Sequence, residues 1–579
     1  MRIDVISSHE DLERLKANWE ELYRADPDAQ YFLSWPFIST YIRRFPGRWF
    51  VLAARSGSGS SPYVALMPLR LGTMMNGKTG LFYNEIHMGG AYVADYTGAV
   101  CAPEFAQAAM AAFAKHLRKM HWARLHLTDL RMSPARERAF FKNLDDERLT
   151  VREVSRWDKI GNIDNSICPF AELPETWEAY LEKKVSANTR QKLRRLLRKV
   201  EGSEDFRITL ADASTIERDI EILLGFWRTK WGPRKGDRLA GIQRTHRRLF
   251  LDALADGSLF LPVLWHRDRP LGGLAIFVDP VKKTYFFYLA GRDEETDIVP
   301  SGLVLHAYSI RHAIENGFRT YDFLRGNESY KYSFATNERA NRSRLLRTRS
   351  DRNLGDKLDA RSLLSVFRQA NRFHKDGRLD KAESAYRQIL DTDPVHAPTL
   401  YGLGQLQAGR GEHQRAARTF ATLTRAAPDL AKGWARHGEA LQALNRLAEA
   451  AQSFYAAIKL DPQMAAPRYG LGLSLAHLGH PERAIALLRT VLRLRPRDPA
   501  DEPLRVRTAA LLKKLEQAQR SGALPLWNAV APSAQRAPVV AEVANAGVRL
   551  MPSLAQSVAI IGPPQAGPVI KRMPARLRS

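Results

Sequence analysis

The residues best suited to chemistry lie in one stretch, Leu271–Phe334. It ends in Arg325-Gly326-Asn327-Glu328-Ser329-Tyr330-Lys331, which offers cations, a carboxylate and a phenol in close succession. Upstream, Pro300-Ser301-Gly302 opens a segment with apolar residues at Leu303, Val304, Ala307, Ile310 and Ile314. That spacing predicts a helix with Ser301 as its N-cap. Free amides at a helix start, with the partial positive charge of the helix dipole, hold phosphate, and Gly302 leaves room for a pyrophosphate to approach the backbone. A lone glycine turn also begins helices that bind nothing, so spacing by itself leaves both readings open.

The elements that must position these groups follow from period and punctuation. Leu271–Val278 and Thr284–Ala290 are β-branched and aromatic runs joined by Asp279-Pro280-Val281-Lys282-Lys283, the pattern of a hairpin. Both runs are apolar on both faces, which predicts a central sheet covered on each side. Asn316-Gly317 closes the helix and Tyr321-Asp322-Phe323-Leu324 begins a further strand. Earlier, helical patterns at Ser8–Tyr23, Trp35–Phe45 and Glu104–Met120 alternate with strand-like runs at Trp49–Ala54, Tyr63–Arg70 and Arg124–Leu127, an α/β lobe. Ser56-Gly57-Ser58-Gly59-Ser60-Ser61 reads as a flexible hairpin tip. A second α/β lobe follows, with a helical pair around Thr176–Val200, a strand near Phe206–Leu210 and a helix at Ile216–Trp231. The helical pair carries Lys183, Lys184, Arg190, Lys192 and four further cations up to Lys199 beside an apolar stripe of Leu193, Leu196, Leu197 and Val200. Its basic side is either a solvated face or a phosphate-binding one.

The order of these pieces resembles the acyl-CoA-binding core of the GNAT superfamily of N-acyltransferases. The resemblance is closer to a two-lobed branch, the CelD-like cellulose-biosynthesis acyltransferases and, more distantly, the Fem-type aminoacyl transferases. It covers Met1–Ser350 and rests on Trp19, Phe32-Leu33-Ser34-Trp35, Val64-Ala65-Leu66-Met67-Pro68-Leu69 and Asp95-Tyr96 in the first half. In the second half it rests on Gly272-Gly273, Gly302, Gly317, Tyr321-Asp322-Phe323, Arg325-Gly326 and Tyr330-Lys331. It implies a bacterial acyltransferase that uses acyl-CoA, acetyl-CoA foremost, without a metal. The acceptor would be an amine or hydroxyl on a sugar, a polysaccharide precursor or another small molecule, in exopolysaccharide or cellulose production. The carrier would lie against Tyr288, Leu289, Ser301, Gly302 and Leu303, with the backbone of Thr284–Ala290 as oxyanion donor. Tyr330 would protonate the leaving thiolate, Lys331 would bind phosphate or an acidic acceptor, and Asp322 or Glu328 would be the base, with His306 a further candidate. The chain departs from the usual phosphate loop, an Arg or Gln before a Gly-x-Gly run, because Ile298-Val299-Pro300-Ser301-Gly302 holds one glycine. The carrier therefore stays open between acyl-CoA and aminoacyl-tRNA, and a degenerate lobe serving as a scaffold is the non-enzymatic alternative.

Beyond Ser350 the chain repeats itself. Pro394, Pro428, Pro462 and Pro496 recur at a step of 34, as do Ala382, Ala416, Ala450 and Ala484. Tyr386, Phe420, Phe454 and Leu488 keep the step, with Gly404, Gly438 and Gly472 in the preceding helices. This resembles the tetratricopeptide repeat, with four units between Ser362 and Pro496 and a final solvating helix at Leu504–Arg520. Such an array implies a protein partner. The expected domains are 1–165 and 166–350 for the two lobes, 351–361 for a linker, 362–520 for the repeats and 521–579 for a disordered Pro/Ala-rich tail.

The 579 residues carry 88 Lys plus Arg against 62 Asp plus Glu, a formal charge of +26. This favours a phosphate-rich cofactor or an acidic partner; stable nucleic-acid binding is expected only for the tRNA alternative. Cys101 and Cys168, the two cysteines, are far apart and outside any Cys/His cluster, which argues against a disulfide framework or a zinc site and for a reduced cytoplasmic setting. The N-terminal segment reads as an amphipathic helix through Leu12, Leu15, Trp19 and Leu22 rather than a signal peptide. No run of about eighteen apolar residues predicts a membrane span.

Overall fold

The computed structural model describes residues 1–44, 48–57, 59, 61–497 and 499–521. Apart from Ser521, the expected tail lies outside the described residues, as do Ser58 and Ser60 of the expected hairpin tip. The chain divides after Ser362 into two compact units, one α/β and one helical.

The first sheet of the α/β unit gathers β1 (Arg2–Ile6), β2 (Arg48–Arg55), β3 (Ala65–Met75), β4 (Phe82–Met88), β5 (Val100–Cys101), β6 (Arg124–Leu130) and β7 (Leu149–Glu153). A small hairpin, β8 (Trp157–Asp158) with β9 (Ile163–Asp164), precedes the second sheet. That sheet holds β10 (Ile167–Glu172), β11 (Phe206–Leu210), β12 (Leu259–Phe260), β13 (Pro262–His266), β14 (Arg269–Asp279), β15 (Thr284–Arg292), β16 (Thr320–Asp322) and β17 (Asn337–Ala340). Around the first sheet lie α1 (His9–Arg14), α2 (Lys16–Ala25), α3 (Trp35–Arg44), α4 (Ala106–Leu117) and α5 (Pro134–Leu144). The second has α6 (Trp177–Lys183), α7 (Ala187–Glu201), α8 (Ile216–Lys235), α9 (Leu239–Ala255) and α10 (Ser301–Glu315).

The expected hairpin, crossover helix and following strand are all present. The N-cap differs: Pro300 occupies it and no side chain caps the helix, while Ser301 is its first residue. Ser301 is buried over Gly272, where a Cβ would come 3.1 Å from its Oγ.

Two further differences concern the end of this unit. β18 (Arg342–Thr348), expected in the second lobe, pairs between β6 and β7 of the first sheet and buries Leu346 in its core. The stretch 351–361, expected as a linker, packs there too. Leu354 and Leu358 are buried, Asn84 donates its amide N–H to Asn353 Oδ1 at 2.8 Å, and Asp359 donates its own to Asn84 Oδ1 at 2.9 Å. Two leucines among charges give little periodicity, yet Leu354 joins the core of the first sheet. The lobes share a core where Tyr31 stacks on Phe277 at 4.7 Å with Phe32 and Phe286 beside it.

The helical unit pairs α11 (Leu363–Lys375) with α12 (Leu379–Thr392), α13 (Ala397–Gly409) with α14 (His413–Ala426), α15 (Ala431–Ala443) with α16 (Leu447–Leu460), and α17 (Ala465–His477) with α18 (Pro481–Arg493). α19 (Asp501–Arg520) closes the array. The repeated columns interlock. A Cβ on Gly404 would meet Phe420 at 2.5 Å, one on Gly438 would meet Phe454 at 2.7 Å, and one on Gly472 would meet Leu488 at 2.9 Å. Among the described residues no helix is long and apolar enough to cross a membrane.

Candidate functional site

β15 and β16 run parallel through Thr284↔Thr320, Tyr285↔Tyr321 and Phe286↔Asp322, where their pairing ends. β15 continues to Arg292 against β14 alone. Its register slips between Ala275, which faces Leu289, and Ile276, which faces Phe287, so Tyr288 is the extra residue of a bulge. A bulge leaves a residue out of the ladder and re-aims its neighbours. The Tyr288 hydroxyl donates to the Val93 carbonyl of the first lobe at 2.9 Å.

Two cavities flank this free end of β15. One, of about 490 Å³, lies at the start of α10, where Lys192, Lys230 and Arg292 face Pro300 and Gly302. Its apolar wall includes Phe226, Leu274, Leu303, Leu305 and Phe334. The other, of about 870 Å³, is lined by Tyr92, Asp95, Trp227, Trp231, His246, Tyr288, Leu289, Arg325, Glu328 and Lys331 among others. Lys230, Ala290 and Tyr330 border both. A Cβ on Gly302 would meet nothing within 4 Å, so space above the helix start is open. Gly291 is different: its Cβ would lie 2.6 Å from the Leu223 carbonyl oxygen and 2.8 Å from Phe226 Cβ, and its lack of a side chain lets α8 lie against β15. That contact brings Phe226 and Lys230 to the cavity.

The expected site residues fall into different settings. Gly302 and Leu303 line the smaller cavity, and Tyr288, Leu289, Glu328 and Lys331 the larger; Ser301 is packed beneath the helix start. Asp322 borders neither cavity. It is fully buried, accepts hydrogen bonds from the Tyr96 hydroxyl at 2.8 Å and the Leu324 amide at 2.8 Å, and pairs with Arg339 at 3.0 Å. It therefore ties strand end to first lobe. Lys331 donates to the carbonyls of Arg325 at 2.7 Å and Gly326 at 3.0 Å and pairs with Glu328 at 2.9 Å, so its ammonium fastens the loop. Arg325 is held between Asp95 at 2.5 Å and Asp129 at 2.8 Å. Burial works against its charge, but the two carboxylates outweigh it and keep its pKa above the ordinary value.

Tyr330 stands where the cavities meet. Tyr330 is 43% exposed as a residue, yet desolvation of its phenol against the cavity walls, reinforced by Glu328, raises its pKa, so it remains a proton donor at neutral pH. Beneath it, His306 lies with Nδ1 3.0 Å from the Tyr321 hydroxyl, and burial, then Lys331, pushes it down to about 3. His246, which the sequence reading missed, borders the larger cavity. Burial pushes its pKa down to about 4 despite the charge of Asp95, and its Nδ1 is buried with no hydrogen-bond partner in the protein. The available signal was its place four residues before Phe250, which turns it to the inner face of α9.

Residues 187–332 match the family described as Acetyltransferase (GNAT) domain, and residues 373–436 and 436–499 each match a family described as Tetratricopeptide repeat. The chain thus carries a GNAT-like acetyltransferase domain followed by tetratricopeptide repeats. No curated protein matches it in sequence. Among solved structures, FemX is 9% identical with a TM-score of 0.42, the match covering 60% of this chain and 97% of that one. YrrB, described as a TPR protein with an unusual peptide-binding site, is 17% identical over 34% of this chain and 91% of its own, with a TM-score of 0.24. The first TPR of Spaghetti (RPAP3) bound to the HSP90 peptide SRMEEVD is 21% identical over 21% of this chain and 96% of its own, with a TM-score of 0.20.

Proposed function

We propose that the α/β unit transfers an acyl group, acetyl foremost, from acyl-CoA to an amine or hydroxyl of a sugar-type acceptor. One observation carries this reading: two cavities meet at the free end of β15 around Tyr330, and one of them opens on an uncapped helix start flanked by Lys192, Lys230 and Arg292. The pyrophosphate sits at that helix start and the acyl-bearing arm runs along Leu274, Leu303 and Phe334 to the bulge. Backbone N–H groups of β15 near Tyr288 stabilise the oxyanion formed when the acceptor attacks the thioester carbonyl. The acceptor proton passes to Glu328 or to neutral His246, and Tyr330 gives its proton to the departing thiolate. Asp322 and Lys331 are positioning residues here, since their hydrogen bonds are spent on the loop.

The larger cavity supports a carbohydrate acceptor because Tyr92, Trp227 and Trp231 offer aromatic faces beside polar Asp95 and Asp158. A role in exopolysaccharide or cellulose production is the narrower form of this proposal. The repeats recruit a protein partner, for which the hollow of about 330 Å³ lined by Gln405, His413, Arg436 and Glu439 offers a place; Arg436 is paired with Glu439 there at 2.7 Å, so an acidic partner is favoured by the chain's +26 charge rather than by the hollow.

A thermal-shift series with acetyl-CoA, longer acyl-CoAs and aminoacyl-tRNA tests the reading. An acyl-CoA at a hundred times its dissociation constant should add about 2.7 kcal/mol. Stabilisation by aminoacyl-tRNA alone, with a steep salt dependence, would replace acyl-CoA by tRNA as carrier, and no response to either would favour a scaffold.

A further inference from the structure

We propose that the α/β unit binds a divalent first-row transition-metal ion, zinc being the natural case, through Glu85, His87 and His126. β4 and β6 pair in parallel with His87 directly opposite His126, and Glu85 lies two residues before His87 on the same face. One ligand atom from each of the three falls within 4.8 Å of the other two. Glu85 Oε2 is 3.4 Å from His87 Nε2 and 3.7 Å from His126 Nε2. Those separations are long for charge-assisted hydrogen bonds, which run about 2.7–2.9 Å. They approach the roughly 3.3 Å between neighbouring ligands of a tetrahedral ion with bonds of about 2.0 Å.

The surroundings favour an ion as well. Both Nε2 atoms approach the same carboxylate oxygen; the two imidazoles lie parallel with centroids 4.3 Å apart, so one ring turns out of the stack when both nitrogens meet one ion. His126 Nε2 is buried without a hydrogen-bond partner in the protein, a cost that coordination removes. The other Glu85 oxygen accepts a hydrogen bond from Arg124 at 3.1 Å, which fixes the orientation of the carboxylate. Gly72 stands opposite Glu85 on β3, where even a Cβ would come 3.8 Å from His87 Nε2, leaving room for a fourth ligand. Two imidazoles and a carboxylate suit zinc, cobalt or nickel better than magnesium or calcium. The sequence reading expected no metal because the ligands are gathered by pairing between distant strands, which local Cys/His spacing does not reveal. Beyond His87 the chain leads to Tyr92, whose ring lies 6.0 Å away, and Asp95, both on the wall of the larger cavity. A bound ion would therefore stiffen the segment that carries them.

Calorimetric titration of the metal-stripped full chain with Zn²⁺ tests this, with Co²⁺ absorption as a second readout. One saturable equivalent, a four-coordinate Co²⁺ spectrum, and loss of both in His87→Gln and His126→Gln but not in His9→Gln are expected. Slower amide exchange across residues 89–95 on loading should accompany binding. Absence of saturable binding, or binding that survives both substitutions, overturns the proposal. If either variant fails to fold by circular dichroism, Glu85→Gln takes its place under the same criterion.

Discussion

The two sheets of the α/β unit contain the same device, a strand, a helical crossover and a parallel strand, but the residues at the two helix starts differ. β4 and β6 are joined through α4, whose own first turn also holds no acid but which is entered by the turn Pro103–Phe105 with Glu104 in it. β15 and β16 are joined through α10, which begins Pro300-Ser301-Gly302 with no acid in its first turn and cations nearby. A carboxylate at a helix start competes with an incoming phosphate, whereas a bare start with lysines attracts one. The fold supplies a helix start in both sheets, and the residues decide which can hold a carrier.

Several substitutions can break or sharpen this contrast. Tyr330→Phe should lower turnover by about a hundredfold while leaving the melting temperature near wild type, because it removes a proton donor and little packing. Steady-state rates with acetyl-CoA measure this, and a wild-type rate would remove Tyr330 from the mechanism. Gly291→Ala should destabilise by about 2 kcal/mol in denaturant unfolding, since its Cβ collides with backbone of α8. Gly302→Ala should instead be neutral or slightly stabilising, because its Cβ meets nothing and alanine favours helix. Gly302→Val should weaken acetyl-CoA binding about tenfold, roughly 1.4 kcal/mol, while Ala106→Val at the start of α4 leaves it unchanged. Equal losses in a calorimetric comparison would erase the distinction between the crossovers.

A further effect concerns pH. His246 has a folded pKa of about 4, below the ordinary value near 6.5, so between these limits the unfolded chain binds more protons. Its contribution to stability is complete above about pH 6.5, falls as pH drops, and levels off below about pH 4. His246→Gln should flatten that part of the stability profile in chemical denaturation, and an unchanged slope would contradict the buried neutral imidazole.

The hairpin, the crossover helix and the repeats were legible because each repeats a period over many residues or is punctuated by glycine. Residue type was less informative about roles. Asp322 has the chemistry of a base, but full burial with Tyr96 and Arg339 makes it a tie between lobes. Lys331 has the chemistry of a phosphate ligand, yet two carbonyls and Glu328 take its protons. No strand is expected at Arg342-Ser343-Arg344-Leu345-Leu346-Arg347-Thr348, which lacks alternation, and its place between β6 and β7 is chosen by distant partners rather than by its own residues. The Glu85 cluster is a product of tertiary pairing and has no local signature, and His246 shows in the sequence only as a position on the inner face of α9.

Amide hydrogen exchange of the full chain with and without acetyl-CoA tests the central claim most directly. Protection confined to residues 287–292 and 299–304, with none at residues 102–108, is the predicted result. Protection at the α4 start, or no change at the α10 start under saturating ligand, would contradict the account.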